Sequence, residues 1–209
     1  MRVCPKETDL EALCNVAIKN GATNARTIDA KLIVIDERVQ LKCRIPPCVN
    51  YGKNLMCPPY TPSAKEFREI VAKYKFAIMV QIDAPIGEET KKLIKSEGAK
   101  LTELWKDEEF SKRLEKDVRE LGNKLRAIVS AVEREAFNKG WYLSLGLVIG
   151  NCNLCSTCDL KWPCKHPWEA RPSMEAMGID VSQTAKNAGL DLQWGTKEIM
   201  TLNGLILIN

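Results

Sequence analysis

The stretch "CRIPPCVNYGKNLMCPPYTP", residues 43–62, places three cysteines and five prolines in twenty residues. Proline fixes φ and removes an N–H donor, so neither a helix nor a central strand can run through this segment. It must be an irregular loop, and something must hold it. Thiols on a restricted backbone suit a preorganised metal site. Cys43, Cys48 and Cys57 follow a C-x4-C-x8-C pattern, and Gly52 after Tyr51 suits a tight turn.

A second cluster, "GNCNLCSTCDLKWPCKHP", supplies Cys152, Cys155, Cys158 and Cys164 as C-x2-C-x2-C-x5-C. A C-x2-C-x2-C run wraps three thiolates around the corners of one cube, as in [4Fe–4S] ferredoxins. A zinc ribbon instead separates two C-x2-C pairs by about 15–20 residues. The spacing therefore favours iron–sulfur, with a zinc knuckle as the alternative. In two-cluster ferredoxins the fourth cysteine of such a run ligates the other cluster; the longer gap of five residues here lets Cys164 return to the same cube instead, and both assignments stay open. His166, the single histidine of the chain, is read as a surface histidine or a neighbour of the cluster, with a ligand, a hydrogen-bond donor or a proton donor as the alternatives.

The first cluster supplies three thiolates, so a fourth ligand must come from elsewhere or one metal position stays open. Cys4 is the candidate to close it. Cys14 falls on the apolar face of a helix and reads as an ordinary thiol. Arg44 and Lys53 are candidates to steer a small ligand to an open position. Lys165 and Arg171 are candidates to balance the charge of the second cluster.

Nine cysteines in 209 residues point to metal or redox chemistry in a reducing compartment, and an odd count does not suit a fully paired disulfide framework. No apolar run approaches the roughly 20 residues of a membrane span, and the N-terminal residues lack a secretory apolar core. The expectation is a cytoplasmic protein. A net charge of +4 with interleaved signs reads as solvated helix surface, not as a nucleic-acid stripe.

Around the clusters the chain alternates. A first helix precedes Gly21, with Leu10, Leu13, Cys14 and Ala17 on one face. Segment 30–36 reads as a strand. Ser63 and Glu66 form a capping box that opens a helix, followed by a buried strand over 75–83. Helices are expected over 87–106 and 108–139, the latter with a stripe from Phe110 through Leu125 to Ala136. A strand follows over 141–150, then a helix within 173–188 opened by Ser173, then a strand at 204–209. This predicts a single α/β domain with a mixed or mostly parallel sheet, residues 150–172 forming a cysteine-rich insertion.

The two motifs, "CRIPPCVNYGKNLMCPPYTPSAKEFREIV" and "GNCNLCSTCDLKWPCKHPWEARPSMEAMGIDV", resemble an archaeal and bacterial family of metal-binding proteins classed as a domain of unknown function. The resemblance covers about residues 30–185. It implies iron–sulfur binding by Cys43, Cys48, Cys57, Cys152, Cys155, Cys158 and Cys164, and an anaerobic source. It supplies no reaction and no catalytic residue. Three readings stay open. One is two [4Fe–4S] clusters, the first with an open iron for a small anionic or sulfur ligand. The second is a ferredoxin-like carrier with fully ligated clusters and a redox partner protein. The third is a zinc-stabilised interaction module.

Overall fold

The apolar run "FAIMVQIDAP" and the final "IMTLNGLILI" become the two longest strands, β2 (Phe76–Pro85) and β4 (Ile199–Ile208). In the computed structural model, which describes residues 8–85, 87, 88, 108–161, 163–190 and 199–209, they pair antiparallel along their whole length, from Phe76 opposite Ile208 to Pro85 opposite Ile199. Strand β1 (Asn24–Asp29) flanks β2, and the short β3 (Leu145–Leu147) flanks β4, both antiparallel. The order is β1-β2-β4-β3.

The mostly parallel sheet expected from the sequence is therefore not what forms. Strands β2 and β3 do point the same way, joined by a helical crossover as the alternation suggests. The final strand β4 then returns between them, so every adjacent pair is antiparallel. The apolar character of β2 misleads for the same reason. It is buried on both faces, which is typical of parallel sheets but needs only a cover on each side.

Those covers are helical. Ile78, Val80 and Ile82 of β2, with Leu202 and Ile206 of β4, pack against α1 (Thr8–Lys19) and α4 (Glu108–Asn138). Ala77, Met79, Leu205 and Leu207 face the other way. They meet Phe67 and Val71 of α3 (Ala64–Val71) and the segment containing Met174, Ile179 and Ala185. Adjacent strand positions thus enter opposite cores, as the two-residue period of a strand requires.

Local signals fix the helix ends. Ser63 Oγ accepts the Glu66 N–H while Glu66 accepts the Ser63 N–H, so the expected capping box is formed. The apolar stripe of α4 is buried from Leu121 to Ala136. The helix closes where Gly140 takes φ +97° and Trp141 N–H reaches Ala136 O at 2.9 Å, a left-handed cap that glycine adopts without strain.

Three boundaries depart from the sequence reading. Segment 30–36 is not a strand. Ala30–Leu32 is a 3-10 turn, and only Ile35 bridges, to Ile179. The true edge strand is the preceding "NARTID". The strand expected over 141–150 shrinks to three residues. Within 173–188 the chain forms a 3-10 turn, Glu175–Met177, and then α5 (Val181–Asn187); α2 (Glu37–Leu41) has no counterpart in the sequence reading. The expected helix over 87–106 lies mostly outside the described residues.

Helix α4 approaches the sheet where two glycines leave room. A Cβ at Gly204 would stand 2.7 Å from Val129 Cγ2 and 3.2 Å from Leu147 O. Gly204→Val is therefore expected to destabilise the protein by about 1–3 kcal/mol through overpacking, read as a lowered urea midpoint. An unchanged midpoint would mean that α4 is free to shift.

Candidate metal centre

The two cysteine segments leave opposite parts of the fold and meet. The second departs from the sheet after Val148 and returns beside it: Val148 N–H donates to Pro172 O and Met174 N–H to Val148 O, at 3.0 and 2.9 Å. The residues between form one excursion. The first runs from the end of α2 to the cap of α3. Gln40 secures it at both ends, donating to Pro62 O at 2.9 Å and Ala176 O at 2.8 Å and accepting from Ala64 N–H. Within the loop, Cys48 N–H donates to Cys43 O and Gly52 N–H to Pro58 O.

Asn54 ties the two segments together. Its side chain is buried, donates to Cys152 O at 2.7 Å and accepts the Met56 N–H at 2.9 Å. The neighbouring Leu55 N–H points at Cys158 Sγ, 3.5 Å away. Asn54→Ala removes a buried cross-link and leaves backbone groups unpaired. A loss of about 1–3 kcal/mol is expected, with faster metal release from both segments in a chelator assay. Release unchanged at both would show that the segments are held independently.

The seven motif cysteines sort into two adjoining cavities. Cys152, Cys155, Cys158 and Cys164 line one of about 410 Å³, together with His166 and Lys53. Cys43, Cys48 and Cys57 line another of about 280 Å³, together with Ser173 and Glu175. Asn50 and Asn151 border both. Each cavity is roughly ten times the ~30 Å³ share of one water molecule. Among the described residues, no three His, Cys, Asp or Glu side chains converge closely enough to hold a single metal ion.

The sulfurs sit in each other's fields. Burial pushes the Cys57 thiol up to about 12, and the charges of Cys48, Cys43, Cys152 and Cys158 act in the same direction. Burial also raises Cys43, with Cys48 and then Glu175 adding to it. Cys152 is raised by burial, against a backbone hydrogen bond from Leu154 and the positive charge of Arg126. Glu175 is raised by burial, opposed by hydrogen bonds from its own backbone and from Ser173. The donor set therefore fits a metal group. Seven soft sulfurs line two adjoining cavities, backbone N–H groups reach Cys152, Cys158 and Cys164 (from Leu154, Leu55 and His166), and a bound cation is the largest local charge that offsets thiolate charge there.

The basic residues are not those the sequence suggested. Arg171 is engaged elsewhere: its Nε lies 2.7 Å from Glu133 Oε2, both side chains largely buried. Lys165 pairs loosely with Asp159 at 3.7 Å on the surface. Lys53 lines the cavity of the second motif, and Arg44 lines neither. The cation beside Cys152 is Arg126 of α4, which also donates to Asn153 Oδ1 at 2.9 Å. Arg119, two turns earlier on the same helix, lines the larger cavity. Their spacing of seven residues was a signal that they share a face.

Cys14 is half-buried on α1 and shares a hydrogen bond with Thr27 Oγ1, as an ordinary thiol. Cys4 lies outside the described residues. The eight described cysteines are all free. Ser173 Oγ accepts the Ala176 N–H at 3.0 Å, and a 3-10 turn with Met174 at its N-cap forms there in place of the expected helix. Among the described residues no helix is long and apolar enough to cross a membrane.

None of the curated proteins and none of the solved structures compared matches the chain. One family model does, over residues 26–208, which takes in the whole sheet except the start of β1, both cysteine segments and both cavities. Its description is "Predicted metal-binding protein (DUF2284)", and the chain belongs to that family.

Proposed function

We propose that this metal-binding protein is an iron–sulfur protein with two centres, one in each cavity. The observation that carries the reading is the partition of the cysteines. All four thiols of the second motif line one cavity and all three of the first line the other. Cavities of this size, without a tight three-ligand cluster for a single ion among the described residues, suit a group of several atoms better than one zinc ion.

In this reading Cys152, Cys155, Cys158 and Cys164 hold the second centre, and Cys43, Cys48 and Cys57 hold the first. When bound, such centres supply one-electron redox chemistry. The chain contributes the rest. The N–H groups of Leu55 and His166 stabilise negative charge on Cys158 and Cys164, and Arg126 does so at Cys152. Asn54 fixes the separation of the two sites. Cys48 is exposed, with Ile45 and Val49 exposed beside it. That surface suits contact with a redox partner protein at the first centre.

The test is anaerobic reconstitution of the full chain with iron and sulfide, and separately with zinc, followed by quantification. Two four-iron clusters predict about eight irons and eight sulfides per chain. Stoichiometric zinc with no retained sulfide would replace this reading with the zinc-stabilised module.

A further inference from the structure

The smaller cavity presents three thiols, and among the described residues no fourth cysteine lines it. It does present a carboxylate. Glu175 opens the 3-10 turn Glu175–Met177, whose backbone is fixed. Gln40 donates to Ala176 O, and Gly178 O accepts the Asp36 N–H at 2.8 Å. Met174, Ala176 and Met177 around it are buried. The Glu175 carboxyl group receives its own backbone N–H and the Ser173 hydroxyl, but its Oε2 is shut from solvent and has no hydrogen-bond partner, the single such side-chain atom among the described residues. Leaving a buried acceptor unpaired costs about 1–3 kcal/mol, more when it is charged. Native structures rarely keep one unless an ion, a water or a function accounts for it.

Cys43 and Glu175 line the same cavity. That cavity holds three thiols in all, and a carboxylate with one oxygen lacking a donor suits a cation there. We propose that Glu175 is the fourth protein ligand of the first centre, its carboxylate bonding the metal that Cys43, Cys48 and Cys57 leave without a thiolate. This rests on the first cavity being a metal site. It accounts for a motif with three cysteines where the other has four. Oxygen is a harder donor than sulfur, so this bond is the exchangeable one, and a small anionic or sulfur ligand enters by displacing it.

The test uses the full chain, reconstituted anaerobically with iron and sulfide, as wild type, Glu175→Gln and Glu175→Cys. Iron and sulfide content of the wild type decides the iron–sulfur reading by itself. Ferricyanide then takes one electron from each four-iron cluster. The iron lacking a thiolate leaves as Fe²⁺, and the remaining three-iron cluster is followed by electron paramagnetic resonance. Glu175→Gln should reach that form about tenfold faster than wild type, a loss typical of weakened metal-site ligation. Glu175→Cys should reach it about tenfold more slowly. Equal rates in all three proteins overturn the assignment. So does a Glu175→Cys protein that behaves like Glu175→Gln, because a packing role or a bridging water would not be rescued by a thiol. If the wild type retains no sulfide, the same proteins are loaded with Zn²⁺ alone. About tenfold faster release of one zinc to a chelator from Glu175→Gln, restored in Glu175→Cys, supports ligation, and equal release overturns it. Metal at the second motif, unchanged throughout, reports intact folding, and the Cys variant decides the matter should the Gln variant not fold.

Discussion

Cys155→Ser should empty the second centre and spare the first, and Cys48→Ser should do the reverse. Each variant is expected to keep about half of the wild-type iron, measured with sulfide after anaerobic reconstitution. The expectation follows from geometry. Cys155 lines only the larger cavity and Cys48 only the smaller. Serine keeps the shape of the side chain but is a poor ligand for a soft metal. The surviving centre should show small spectral shifts, since Asn54 and Leu55 of one segment touch the other. Loss of all iron from both variants would mean one shared site.

The second large effect concerns folding. Arg171 and Glu133 form an ion pair in which each side chain is only 15% exposed. The guanidinium also donates to Ala170 O at 2.8 Å. The pair pins the end of the cysteine excursion to α4 next to β3, where a Cβ at Gly146 would meet Glu133 Oε2 at 3.0 Å. Glu133→Ala strands a buried cation and should cost about 3–5 kcal/mol. The double variant Glu133→Leu/Arg171→Met should recover most of that, because well-packed apolar groups often replace a buried pair at little cost. Urea unfolding of the apoprotein measures both. A single variant within ~0.5 kcal/mol of wild type, the usual range of surface changes, would show that the pair is solvated.

The sequence is most legible where the determinant is local. The Ser63–Glu66 box, the stripe of α4 and the apolar run of β2 each carry their signal within a few residues. The cysteine spacings alone likewise separate the thiols into two groups. What failed depends on partners far along the chain. The order of strands is set by where β4 inserts, and nothing in residues 199–208 states that it enters between β2 and β3. Strand β1 escapes a sequence reading because "NARTID" is an edge strand with one buried residue, Ile28, and gives no apolar run. The adjacent "AKLIVI" has one but turns away. Arg171 looks like a counter-charge because it is near the cysteines in sequence, while its partner Glu133 lies 38 residues earlier. Arg126, Asn54 and Glu175 are invisible for the same reason: each acts on a segment remote in sequence or on a cavity that several segments build.

The proposed function places two separate iron-containing centres in the protein, each within its own cysteine motif. Crystals grown anaerobically from reconstituted protein test it directly, by anomalous diffraction recorded on both sides of the iron and zinc absorption edges. Two iron peaks are expected. One lies among Cys152, Cys155, Cys158 and Cys164, and the other among Cys43, Cys48 and Cys57. A single peak shared by both motifs, or peaks that appear only at the zinc edge, would contradict it.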